Sequence, residues 1–149
     1  MANVTMFRSE ETSAILTLRI LNANAKVKSD DPKTQVGCLV VDEHNVSYEG
    51  YNVYAPNVKE IRSNLMHAEQ DALCKARGRK VIGAIVTKFP CVCCARSLVL
   101  HQIKTLYTIK ADPNRRWYDS QMEAKALLEK YNVRVIEFDE SVLETHYDK

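Results

Sequence analysis

The chain has 149 residues, 46% of them apolar and 27% charged, with a formal net charge of +2. That is the composition of one globular domain with one core, without the apolar run of a membrane span. It also lacks the strong basic stripe of a protein that holds long nucleic acids, so a small anionic ligand is favoured over a polymer.

Residues 1–149 are therefore read as a single domain, with its core at about 9–138 and a tail at 139–149. The opening "MANVTMFRSEE" is too polar for a secretory signal, and a soluble, cytoplasmic protein is expected. Five cysteines is an odd count, and three of them crowd into "CVCC" (91–94). In a reducing compartment such a cluster favours metal binding over disulfides.

In chain order, Ile15, Leu18, Leu21 and Ala25 recur at helical spacing from about Ser9, a candidate cap, to Val27. "VGCLVVD" (36–42) is short, β-branched and bounded by glycine and charge, so it reads as a buried strand. "NVSYEGYNV" (45–53) reads as its hairpin partner, turning at "EHN". A helix is predicted from about Met66 to Arg77, stopped by Gly78. "VIGAIVTK" (81–88) is a further strand, and Pro90 suits the first turn of the helix "CVCCARSLVLHQI". Strands at 105–110 and 133–138 enclose a helix at about 120–130. Strands alternating with helices after a hairpin predict an α/β sandwich around a mixed sheet.

The chemistry gathers at two predicted helix starts. Cys91 and Cys94 are three residues apart, so at a helix N-terminus both sulfurs can reach one ion, and the dipole favours their thiolate forms. With His67 they make three protein ligands for zinc, leaving the fourth position to water, as catalytic zinc requires. Glu69 is two residues from His67, suited to moving that water's proton rather than to closing the site. H-x-E followed by P-C-x-x-C is the pattern of the zinc nucleobase deaminases.

A CxxC is also often half of a structural zinc site, and Cys93 could compete as a ligand. Cys38 and Cys74 read as small core residues, and Cys93 as turned away from the metal into core or interface packing. His44, in a turn, His101, at a helix end, and His146, in the tail, are not expected to be ligands.

"DPKTQVGCLVVD", "EGYNVYAP", "HAEQDAL", "TKFPCVCCARSLV" and "WYDSQMEAKALLEKYNVRV" together resemble the deoxycytidylate deaminases, over roughly Ser29 to Phe138. The resemblance implies a three-layer α/β/α fold with a five-stranded mixed sheet, and zinc held by His67, Cys91 and Cys94 with Glu69 as proton shuttle. It places Asn52 on the sugar 3′-hydroxyl, Ala68 at the substrate, Ser29 and Lys33 near the phosphate, and Trp117 where an aromatic, commonly tyrosine, stands. Arg115 and Arg116, just before Trp117, are candidates for phosphate.

The implied reaction is hydrolysis of dCMP to dUMP with release of ammonia, supplying dUMP for thymidylate synthesis. A homohexamer activated by dCTP and inhibited by dTTP is implied as well. Val53 stands where the family has a glycine associated with the allosteric nucleotide, and Asp71 where asparagine is usual. Asn52 also suits a plain turn, Ser29 and Asp30 a cap or turn, and Lys33 a solvated charge. The alternatives are a deaminase acting on tRNA adenosine or polynucleotide cytosine, or a zinc-stabilised nucleotide-binding protein without turnover.

Overall fold

The computed structural model describes residues 10–144. The cap expected at Ser9 and the tail histidine His146 lie outside them. The first helix, α1 (Glu10–Lys28), buries Ala14, Leu18, Leu21 and Ala25, one residue per turn on a single stripe. Ile15, expected on that stripe, is only half-buried at its edge.

Strands β1 (Gly37–Asp42) and β2 (Ser47–Tyr51) form the predicted hairpin. Its turn is closed by Asp42, whose Oδ1 accepts from the N–H of His44 at 2.8 Å and of Val46 at 3.0 Å. Asn45 supplies the left-handed residue, at φ 67°. The hairpin ends at Asn52, before a two-stranded ribbon of β3 (Val53–Tyr54) and β4 (Leu65–Met66).

The main sheet adds β5 (Val81–Val86), β6 (Thr105–Ile109) and β7 (Arg134–Phe138), in the order β2-β1-β5-β6-β7. β1 runs antiparallel to β2 and β5, whereas β5, β6 and β7 are mutually parallel. This is the five-stranded mixed sheet that the resemblance implied. Alternation along the strands divides the core between the two faces. Cys38, Val40, Ala84, Val86 and Leu106 share a cluster with Ala68, Ala72, Ala95, Leu98 and Leu128 of the helices. Leu39 and Ile85 point the other way, toward Leu21 and Ala25 of α1.

Helix α2 (Ala68–Lys75) is shorter than predicted at both ends. Met66 is tied into β4, and His67 is extended at ψ 155°, so the helix opens two residues later, at Ala68. Helix α2 lies directly on β2 at Gly50. A Cβ there would run into the carbonyl oxygen of Ala68 and the backbone nitrogen of Ala72. Glycine is required for that close approach.

Helices α3 (Val92–Leu100) and α4 (Tyr118–Lys130) complete the layer. The segment after β7 is packed, at least to residue 143. A 3-10 turn at Glu140–Leu143 lies on α1, and Arg19 Nε donates to the Val142 carbonyl at 2.7 Å. Cys38 is buried as expected, but Cys74 is exposed, on the side of α2 away from the sheet. Among the described residues, no helix is long and apolar enough to cross a membrane.

Candidate metal centre and its pocket

His67 and Cys91 are the N-cap residues of α2 and α3, so the two helix starts meet at their first side chains. The His67 N–H is fixed by Gln70 Oε1 at 3.0 Å, which locks the entry to α2. His67 Nδ1 lies 3.2 Å from Cys94 Sγ and 3.5 Å from Cys91 Sγ. Tetrahedral zinc with ordinary bond lengths holds nitrogen and sulfur ligands about 3.5 Å apart. The ligand atoms of His67, Cys91 and Cys94 all fall within 4.8 Å of one another, and no fourth His, Cys, Asp or Glu joins them among the described residues. Two thiolates and an imidazole in this arrangement fit zinc. Cys93, between the sulfur ligands, is exposed and outside the cluster.

The three groups also shift one another's proton affinities. The Cys94 thiol donates to Cys91 and, against the effect of burial, pulls the Cys91 thiol down to about 3, with His67 helping. Cys94 is pushed far up by that same bond and by burial. His67 is raised, chiefly by its hydrogen bond to Cys91.

Glu69 sits in the first turn of α2, only 4% exposed. Burial lifts its carboxyl to about 7, and the Cys91 charge adds to the rise while His67 and Cys94 oppose it. A carboxyl that gains and loses a proton near neutrality is suited to general acid–base work.

His67, Glu69 and Cys91 face a cavity of about 130 Å³, lined also by Ala68, Asn52, Trp117, Asp31, Arg62, Lys88, Phe89 and Gln121. Asn52 is buried and nearly saturated. Its Oδ1 accepts from Ser29 Oγ at 2.6 Å and from the Val36 N–H at 2.9 Å, and its Nδ2 donates to the Thr34 carbonyl at 2.6 Å. One Nδ2 hydrogen remains for a ligand.

Ser29 does not line this cavity; its hydroxyl is spent on Asn52. Lys33 and Arg115 line an adjoining cavity of about 250 Å³, which shares Lys88, Trp117 and Gln121 with the first. Trp117 forms the common wall, with Lys88 Nζ 3.5 Å above its ring and Arg115 and Arg116 5.8 and 5.7 Å from it.

Asp31, Arg62, Lys88 and Gln121 were not predicted as site residues. Lys88 could have been found, since it stands just before the Phe89-Pro90-Cys91 turn. Gln121 donates to the Phe89 carbonyl at 2.9 Å, and Ser120 Oγ accepts the Val92 N–H at 3.1 Å, so α4 braces the turn that carries Cys91. Arg62 is delivered by the path of the loop between β3 and β4, for which the sequence holds no signal.

The two residues that depart from the family pattern have structural partners. Val53 is extended and pairs with Met66, a conformation that does not call for glycine. The Asp71 carboxylate accepts the Tyr51 N–H at 3.0 Å and lies 3.1 Å from Lys75 Nζ, so the acid ties α2 to the end of β2.

Residues 10–110 match the family model of the cytidine and deoxycytidylate deaminase zinc-binding region. The chain belongs to that family. A deaminase relative of Caenorhabditis elegans, described as a probable deoxycytidylate deaminase, is 31% identical over 109 residues. The match takes in 62% of this chain and 55% of that relative, so the deaminase chain spans about half the length of the curated protein it resembles.

Among solved structures, the cyanophage S-TIM5 dCMP deaminase in complex with dCMP and dUMP superposes with a TM-score of 0.68 at 18% identity, covering 89% of this chain and 100% of that one. Acinetobacter baumannii RibD gives 0.62 at 24% identity, over 88% of this chain and 36% of its own. These two establish the shared deaminase fold.

Proposed function

We propose that this chain is a zinc-dependent hydrolase that converts dCMP and water to dUMP and ammonia. The observation that carries the reading is Glu69. It is a buried carboxylate outside the three-ligand set, in the pocket that His67 and Cys91 line. A purely structural zinc has no use for such a group.

His67 Nδ1 and the sulfurs of Cys91 and Cys94 would hold the zinc. When bound, zinc supplies Lewis acidity that lowers the pKa of a water toward neutrality. Glu69 takes a proton from the water that adds to ring C4 and passes it to N3. It then takes the second proton, from the hydroxyl now on C4, and gives it to the amino group, which leaves as ammonia as C4 becomes a carbonyl.

Ala68, between His67 and Glu69, gives the pocket wall beside the base. Asn52 offers its remaining amide hydrogen to a sugar hydroxyl, and Ser29 holds Asn52 in that pose. Lys33 and Arg115, the phosphate candidates from the sequence, line the neighbouring cavity across Trp117 and not the one that holds Glu69. Supply of dUMP for thymidylate synthesis, control by dCTP and dTTP, assembly as a hexamer and a cytoplasmic setting belong to this reading on the strength of the family resemblance. The +2 net charge supports a small nucleotide over a polymer.

The test is ammonia release from dCMP, dCTP, cytidine and a cytosine-bearing oligonucleotide. Turnover of dCMP is expected, and turnover of the oligonucleotide alone overturns the assignment.

A further inference from the structure

We propose that Arg62 and Lys88 form the pair through which this pocket selects an anionic phosphate ester over the same compound without phosphate. The inference rests on the deaminase reading for its substrate and on the geometry of the pocket mouth for its residues.

Arg62 and Lys88 line the same cavity as His67, Glu69 and Asn52, whereas Lys33 and Arg115 open into the neighbouring one. Arg62 is held from one side only. Its side chain is 65% exposed, and one guanidinium nitrogen lies 3.1 Å from Asp31 Oδ2. Asp31 is in turn fixed, 4% exposed in its side chain, with Oδ1 accepting the N–H groups of Lys33 and Thr34 at 2.9 and 3.3 Å. The carboxylate thereby aims the guanidinium. Its remaining donors take no acceptor among the described residues, and a planar fork of donors suits phosphate oxygens.

Lys88 is half-buried, with its ammonium on the face of Trp117 and no acceptor in hydrogen-bond range among the described residues. Burial lowers its pKa, and the neighbouring charges of Arg115 and Arg62 lower it further against the pull of Glu69. Arg62 and Lys88 thus share one opening, with Arg115 in the adjoining cavity, and of the three only Arg62 and Arg115 have carboxylate partners among the described residues. A phosphate at the mouth would accept from the open donors of Arg62 and Lys88 and relieve their mutual repulsion.

The test uses the full, zinc-loaded chain and its Arg62→Gln, Arg62→Lys and Lys88→Gln variants. Steady-state kinetics are measured on dCMP and on deoxycytidine. Loss of one charge-assisted phosphate contact should lower kcat/KM for dCMP by about tenfold to a hundredfold, mainly through KM. The ratio of kcat/KM for dCMP over deoxycytidine should fall with it, and Arg62→Lys should keep part of the preference. An unchanged ratio overturns the inference, because a merely structural role lowers both substrates alike.

If the wild type turns over neither compound, the deamination reading fails instead. The inference is then decided by thermal melts with inorganic phosphate. Stabilisation of the wild type that shrinks in Arg62→Gln and Lys88→Gln supports it, and equal or absent stabilisation in all forms overturns it.

Discussion

Ser29 donates its hydroxyl to the side-chain oxygen of Asn52 at 2.6 Å, joining the end of α1 to the end of β2 beside the pocket. The same Asn52 holds the Val36 N–H and the Thr34 carbonyl, so one buried amide pins the whole segment before β1. Removing one net hydrogen bond costs about 1 kcal/mol, whereas orphaning buried backbone groups costs about 1–3 kcal/mol each. Ser29→Ala should therefore lower stability slightly in urea melts, and Asn52→Ala substantially more. Ser29→Ala should also raise KM for dCMP, because Asn52 loses the partner that fixes its pose. An Asn52→Ala protein as stable as Ser29→Ala would contradict this network.

The contrast between Asn52 and Arg62 shows what was legible beforehand. His67, Glu69, Cys91 and Cys94 could be read because their geometry is set by spacing within two helix starts, a local property of the chain. The sheet was legible for a similar reason, since β-branched runs and turn residues announce strands one at a time. Arg62 and Gln121 enter the pocket through loop path and helix docking, which no local pattern encodes. Cys74 was misplaced because an eight-residue helix cannot show its buried face by periodicity. Met66 was assigned to the helix because its ribbon partner lies thirteen positions away, at Val53.

Glu69→Gln keeps the shape of the side chain and removes the proton carrier. Turnover of dCMP should fall by about a hundredfold or more, with zinc content by atomic absorption unchanged. The carboxyl also has a stability signature in the chelated protein. Its folded pKa, about 7, lies above the unfolded value, so the folded state holds the extra proton between the two. Stability is then lost as pH rises through that window, and chelated Glu69→Gln should outlast the chelated wild type at pH 8. Retained turnover would remove Glu69 from the mechanism.

Cys93 and Cys94 are neighbours with opposite expected fates. Cys94 is fully buried within 3.2 Å of His67 Nδ1, and Cys93 is exposed outside the cluster. Cys94→Ser should lose zinc on dialysis and melt at a lower temperature, whereas Cys93→Ser should keep one zinc per chain. A chelator should lower the melting temperature of the wild type and of Cys93→Ser, because a ligand bound only to the native state stabilises it. Zinc loss in Cys93→Ser would point instead to a third sulfur ligand.

Asp31 gives the protein an acid-sensitive contact. Burial alone would raise its carboxyl, but the N–H groups of Lys33 and Thr34 and the Arg62 guanidinium outweigh that effect and hold it below the ordinary carboxylate value. The unfolded chain therefore takes up the proton first as pH falls. The stability that Asp31 contributes is complete above the unfolded pKa of about 3.9 and is lost as pH falls through the lower, folded one. Urea midpoints of Asp31→Asn should be lower than wild type at neutral pH and should decline less steeply below about pH 4. Parallel acid limbs in the two proteins would mean that this carboxylate is not shifted.

Gly50 carries the last expectation, because it sets how closely the first turn of α2 docks on the sheet. Its added Cβ would strike the Ala68 carbonyl and the Ala72 nitrogen, backbone atoms that cannot rotate aside. Gly50→Ala must then move the first turn of α2, at a cost of about 1–3 kcal/mol for overpacking. That turn holds Glu69, and His67 caps it. The shift should weaken zinc binding in competition with a chromophoric chelator, beyond the fall in melting temperature. A substitution on the opposite side of the sheet, such as Leu39→Ala beneath α1, should lower stability and leave the zinc affinity of the folded protein intact. If both variants lose zinc in proportion to stability, then the close approach at Gly50 serves packing alone, and α2 is not positioned by it for the metal.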